Sequence, residues 1–153
     1  MKKAIVYTDG ACKHNPGIGG YGIVIFIKDV NGNILKKEIK NAFMETTNNK
    51  MELLSVIVAL KEFNEPYDID IYTDSKYVSD AINKNWVKEW KKQNFRIGKK
   101  DEVKNIDLWK ELIDLLNFHS VNFIWVKGHN GNKYNERCDE LANIAINEYI
   151  EGI

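Results

Sequence analysis

The sequence predicts an α/β fold, a mixed β-sheet with helices packed over it, in one domain spanning residues 1–153. Three observations predict it. Strand-like runs come first, and two of them flank Asn31-Gly32-Asn33, a strong hairpin signal. After Thr46 the pattern alternates between helical and strand periods. The composition, 44% hydrophobic and 29% charged, is that of a globular domain long enough to bury a core. Hairpin-linked strands followed by helix–strand alternation build a mixed sheet.

Residues 3 to 9 alternate, with Ile5, Tyr7 and Asp9 on one face and Ala4, Val6 and Thr8 on the other. The glycine-rich "GACKHNPGIGG" then turns the chain into "YGIVIFIK", and "ILKKEIKNAF" returns antiparallel after the hairpin. "TTNNKMELLSVIVALKEF" switches to helical period with Leu53, Ile57 and Leu60 on one stripe, ending before Pro66. "DIDIYTDS" is a short strand ending on Asp74, and "SKYVSDAI" a helix. A second helix is expected from Trp86 to about Gln93, interrupted by "NFRIGKK". "VKNIDLWKELIDLLNF" is amphipathic, with Ile106, Trp109, Leu112, Ile113 and Leu116 on its apolar stripe. "SVNFIWV" is the last strand, running into "KGHNGNKYN". The final helix, from about Glu136 to Ile150, should bury Cys138, Leu141, Ala142, Ala145 and Tyr149.

No run of about 18 apolar residues exists, so no membrane span is expected. The start, "MKKAIVYTDGA", is too short in apolar residues for a secretory signal. Two cysteines, Cys12 and Cys138, make no disulfide framework and lack zinc-ligand spacing; free thiols suit a reducing, cytoplasmic setting. Formal net charge is zero, but Lys84–Lys104 carries eight basic residues against three acidic ones. A basic segment therefore stands beside an acidic body.

Asp9 and Asp74 end what should be neighbouring strands, Glu52 opens a helix, Asp139 lies in the first turn of another, and His129 sits in a loop. Each has an ordinary structural reading. Asp9 suits a turn cap, Asp74 a helix N-cap, and Glu52 a capping box with Asn49. Asp139 would complement a helix dipole. Together they ask for more, because unpaired carboxylates converging at strand ends repel one another. A hard dication such as Mg²⁺, which takes oxygen ligands and keeps open positions, removes that cost. Two such ions form a clamp for phosphoryl displacement.

The stretches "YTDGACKHNPGIGGYG", "TTNNKMEL", "IYTDSKYV", "WVKEWKK", "VKNIDLW" and "WVKGHNGNKYNERCDELA" resemble, in order, the motifs of type 1 ribonucleases H of the single-domain bacterial and archaeal form. The resemblance covers nearly the whole chain. It implies a five-stranded mixed sheet of order 3-2-1-4-5. It also implies endonucleolytic hydrolysis of the RNA strand of an RNA–DNA hybrid, leaving 5′-phosphate and 3′-hydroxyl ends. The family's two Mg²⁺ ions, replaceable by Mn²⁺, carry over onto Asp9, Glu52, Asp74 and Asp139, with Asp9 bridging both. Its loop histidine falls on His129, as proton relay or in product release.

The resemblance also implies a substrate surface. Cys12, Asn15, Asn48, Lys76 and the Glu52 carboxylate would line the RNA side, and Thr47 with Asn15 would hold a phosphate of the DNA strand. Lys50 matches a position often basic in the family, and Lys76 stands where many relatives carry glutamine. Residues 84–104 resemble the basic protrusion, with Trp90 on the DNA sugars and Lys91 and Lys92 on phosphates. A monomer is expected. His14 and His119 are expected at the surface or in loops, without a role. The alternatives are an inactive hybrid-binding module, or a nuclease of this fold acting on another nucleic acid.

Overall fold

The computed structural model describes residues 1–94, 96–97, 101–102, 104–128 and 131–152. Strands β1 (Lys2–Cys12), β2 (Gly17–Lys28) and β3 (Ile34–Thr46) form an antiparallel meander. Then come helix α1 (Asn48–Lys61), β4 (Tyr67–Thr73), α2 (Lys76–Asn83) and α3 (Trp86–Lys92). A two-stranded ribbon, β5 (Arg96–Ile97) with β6 (Asp101–Glu102), follows where the sequence suggested only an interruption. Helix α4 (Ile106–Phe118), β7 (Ser120–Trp125) and α5 (Lys133–Glu151) complete the chain. The main sheet has the order β3-β2-β1-β4-β7, with β4 parallel to β1 and β7 parallel to β4. Counting β7 as the sheet's fifth strand, this is the expected 3-2-1-4-5. Among the described residues no helix is long and apolar enough to cross a membrane.

Helix α1 is the centre of the core. Leu53, Val56, Ile57, Ala59 and Leu60 are fully or almost fully buried against Val6, Ile23, Ile69 and Ile71 of the sheet. Helix α4 adds Trp109, Leu112 and Ile113 to the same layer, while Ile106 and Leu116 are only half-buried. Helix α5 covers part of the opposite sheet face through Cys138 and Leu141 on Val24. Along α5, Ile146 joins the buried stripe of Cys138, Leu141, Ala142 and Ala145, while Tyr149, one turn further toward the helix end, is only half-buried.

Two close approaches set where the helices deliver their functional groups. A Cβ at Gly10 would lie 2.6 Å from the Glu52 amide nitrogen, and one at Gly22 2.1 Å from the Cys138 carbonyl oxygen. Glycine at these positions lets α1 and α5 lie against the sheet on either side of Asp9, which pairs with Gly22. Gly22→Ala should therefore push α5 outward and destabilise the fold by ~1–3 kcal/mol. Urea unfolding checks this, and an unchanged midpoint would contradict it.

His119, expected at the surface, is buried. Its Nδ1 accepts from the Tyr67 amide at 3.1 Å, and Nε2 lies 3.2 Å from the Leu60 carbonyl, which the Nε2–H tautomer satisfies. The imidazole thus joins the end of α1 to the start of β4. Cys138 is buried as expected, its thiol donating to the Tyr7 carbonyl at 3.2 Å.

Candidate active site

The ladder between β1 and β4 ends at Thr8 opposite Thr73. Asp9 and Asp74 are the next residue on each chain, so they emerge side by side. Asp9 is not the end of its strand, as the sequence suggested. β1 continues to Cys12, paired only with β2, and a strand held on its far side fixes Asp9 more firmly than a terminus does. The Gly10 amide donates to Asp9 Oδ1 at 3.0 Å.

The structural readings of the other acids fail. Thr47 caps α1 by accepting from the Lys50 amide, so Glu52 lies beyond the capping residues. Ser75 caps α2 by accepting from the Val78 amide, which releases Asp74. Asn132 caps α5, which places Asp139 in the second turn instead of the first. None of these three carboxylates holds a helix end.

Instead, oxygens of Asp9, Glu52 and Asp74 all lie within 4.8 Å of one another. Asp139 is outside that cluster but lines the same open groove of about 470 Å³, with Cys12, Asn48, Lys76 and Tyr77. Asp9 is 5% exposed and Glu52 9%, and Glu52 Oε2 is buried without a hydrogen-bond partner. Burial first, then the negative charges of Glu52 and Asp74, hold the Asp9 carboxyl well above the usual range. Burial, followed by the charge of Asp74, raises Glu52 as well. An all-oxygen donor set, crowded, desolvated and with an orphaned acceptor, fits a divalent cation.

Around the groove, Asn15 Oδ1 accepts from the Asn48 amide at 3.2 Å, joining the glycine-rich turn to α1. Cys12 Sγ lies 3.5 Å from the Gly17 carbonyl and 3.4 Å from that of Thr46, both within reach of its one S–H, and burial raises its pKa. It is a brace for the turn, not a reactive thiolate. Lys50 and Lys76 are exposed.

Trp90, expected on the DNA sugars, is the more buried of the two tryptophans of α3. Trp90 is half-buried, its ring packed edge-on to Trp109 at 5.1 Å, whereas Trp86 is 42% exposed. Spaced four apart they share a helix face, and α4 covers only the second. Lys91 and Lys92 are exposed. His129, and with it Lys99 and Lys100 of the basic segment, lie outside the described residues.

Three groups at or beside the groove lie within the quoted motifs but were not singled out as site residues. Tyr77 accepts from Trp109 Nε1 at 2.9 Å and from Asn105 Nδ2 at 3.1 Å. Gly128 passes so close to Asp74 that a Cβ there would meet Oδ2 at 2.7 Å. Trp125 Nε1 donates to the Asp74 carbonyl at 3.1 Å.

A mixed sheet carrying a carboxylate cluster for a divalent cation where two parallel strands part is the arrangement of a class, metal-dependent hydrolases of phosphodiesters. The RNase H family model matches residues 1–147, and the chain belongs to the ribonuclease H family, endonucleases that cut the RNA strand of RNA–DNA hybrids. It is 52% identical over 152 residues to a ribonuclease H of Clostridium botulinum, covering 97% of this chain and 99% of that one. Over 148 residues it is 46% identical to a ribonuclease H of Caldicellulosiruptor saccharolyticus, with 97% and 99% covered. Among solved structures, LC9-RNase H1, a type 1 RNase H, superposes with a TM-score of 0.85 at 30% identity, over 95% of this chain and 72% of that one. LC11-RNase H1, solved in complex with an RNA/DNA hybrid, superposes with a TM-score of 0.72 at 25% identity, over 97% and 99%.

Proposed function

We propose that the groove binds an RNA–DNA hybrid and that Asp9, Glu52, Asp74 and Asp139 hold two Mg²⁺ ions there, with Mn²⁺ able to replace them. The observation that carries this is the convergence of three carboxylates, one with a buried and unpartnered oxygen, at the floor of an open groove. When bound, the cations supply Lewis acidity for in-line displacement at phosphorus, leaving a 5′-phosphate and a 3′-hydroxyl. Asp9, on the central strand of the sheet and within 4.8 Å of both Glu52 and Asp74, would be the ligand shared by the two cations. Glu52 and Asp74 complete one side of the centre, and Asp139 approaches from α5. His129 relays the proton that the leaving oxygen takes up. Product ends test this chemistry: RNA fragments should be degraded by a 5′-phosphate-dependent exonuclease, and resistant fragments would contradict it.

The substrate surface follows the two strands. Hydroxyls at the 2′ position distinguish RNA in a wide, shallow minor groove. Asn15, with its oxygen committed to Asn48, keeps amide hydrogens for them. Asn48 and Lys76 stand beside it, and Cys12 braces the turn that carries it. The Thr47 oxygen accepts from Lys50, which leaves its hydroxyl hydrogen for a phosphate of the DNA strand. Lys50 adds charge at the same end of α1.

Within a single domain acting as a monomer, the basic segment 84–104 would serve the DNA strand through its described residues. There Trp86, not Trp90, offers a ring to the DNA sugars, and Lys91 and Lys92 meet phosphates. Each lysine charge taken away from a phosphate should lower the slope of log K against log salt by about 0.9. Lys91→Gln with Lys92→Gln should therefore flatten the slope of hybrid binding by about 2 at most. A slope equal to that of the unaltered protein would remove both lysines from the interface.

A further inference from the structure

Trp125 ends β7 beside the carboxylate groove with its side chain 43% exposed, although a large aromatic gains most from burial. It makes two contacts at the site. Nε1–H donates to the carbonyl of Asp74, and the Lys76 ammonium stands 4.9 Å from the centre of its ring. Lys76 lines the groove that holds Asp9, Glu52 and Asp74. An ammonium lining the same groove as three carboxylates is attracted to them, most strongly where the surroundings are desolvated. Among the described residues' ion pairs, however, none joins Lys76 to these acids; the ammonium lies over the indole instead.

We infer that Trp125 is a positioning residue whose indole face holds the Lys76 ammonium off the carboxylate cluster. The cluster then stays open to a divalent cation, and the charge stays at the rim of the groove, where the RNA strand's phosphates pass. The inference rests on the metal-centre reading above. Without the ring, Lys76 swings toward the acids and competes with the cation for them. The ring face, not the Nε1–H bond to Asp74, is what holds the ammonium.

The test is a titration of Mg²⁺ into the protein without nucleic acid, followed by the amide shifts of Gly10 and Ser75 beside Asp9 and Asp74. Trp125→Leu should raise the apparent Kd for Mg²⁺ about 3-fold, the size of an exposed cation–π contact. In a Lys76→Gln background the same substitution should change nothing. Trp125→Phe, which keeps an aromatic face and loses the N–H, should retain most of the affinity. An unchanged Kd in Trp125→Leu would overturn the inference. So would an equal loss in the Lys76→Gln background, which would place the effect on the Asp74 peptide. If the unaltered protein shows no saturable shift, the metal-centre reading fails and this inference with it. Saturable binding with no effect of Trp125 overturns the inference alone.

Discussion

Asp9→Asn is expected to abolish cleavage, by on the order of 10³-fold or more, while the fold is kept or stabilised. The amide has one oxygen and carries no charge, so it cannot bridge two cations. Its shape is that of the carboxylate, and it sits in a strand paired on both sides up to Thr8. Without metal, Asp9 is a buried acid facing Glu52 and Asp74, and its charge opposes folding. Neutralising it should raise the Tm of the metal-free protein, by about 3 °C for each kcal/mol recovered. Turnover at the level of the unaltered protein would remove Asp9 from the centre. A lower Tm would mean that the cluster is not repulsive.

The second large effect links pH, metal and stability. The ordinary values for Asp9 and Glu52 are 3.8 and 4.5, and the folded state raises both. The folded protein therefore binds these protons more tightly than the unfolded chain. Stability from this pair is undiminished below about pH 4 and is lost as pH rises from there toward the raised folded values. A divalent cation reverses the trend, because it binds the ionised cluster and favours the folded state by mass action. The gain in Tm on adding Mg²⁺ should thus be larger at about pH 8.5 than at about pH 5.5. Thermal melts with EDTA or Mg²⁺ at both values check this. Equal gains would show that these acids are not the binding groups.

The sheet was legible because its signals are local: an alternating first strand, a turn at Asn31–Asn33, and apolar stripes at helical spacing. The acids were legible as residues that strand ends and helix starts bring to one place. Their setting was less so. Asp9 reads as a strand end because the glycine-rich turn follows, yet pairing with β2 carries the strand to Cys12. Asp139 reads as first-turn because the sequence does not show that Asn132 caps α5. Trp86 and Trp90 are indistinguishable by periodicity, and only the packing of α4 separates them. His119 touches groups from Leu60 and Tyr67, residues far from it along the chain. Trp125 opens one of the quoted motifs, but its role was not legible there, since its partners Asp74 and Lys76 lie far from it along the chain.

The most direct measurement is cleavage of a hybrid labelled on each strand, with Mg²⁺ or with EDTA, beside double-stranded RNA, double-stranded DNA and both single strands. Cutting confined to the RNA strand of the hybrid, and abolished by EDTA, is the predicted result. Cutting that survives EDTA would contradict the role of the carboxylate centre, and equal cutting of another nucleic acid would contradict the reading of the groove around Asn15, Asn48 and Lys76.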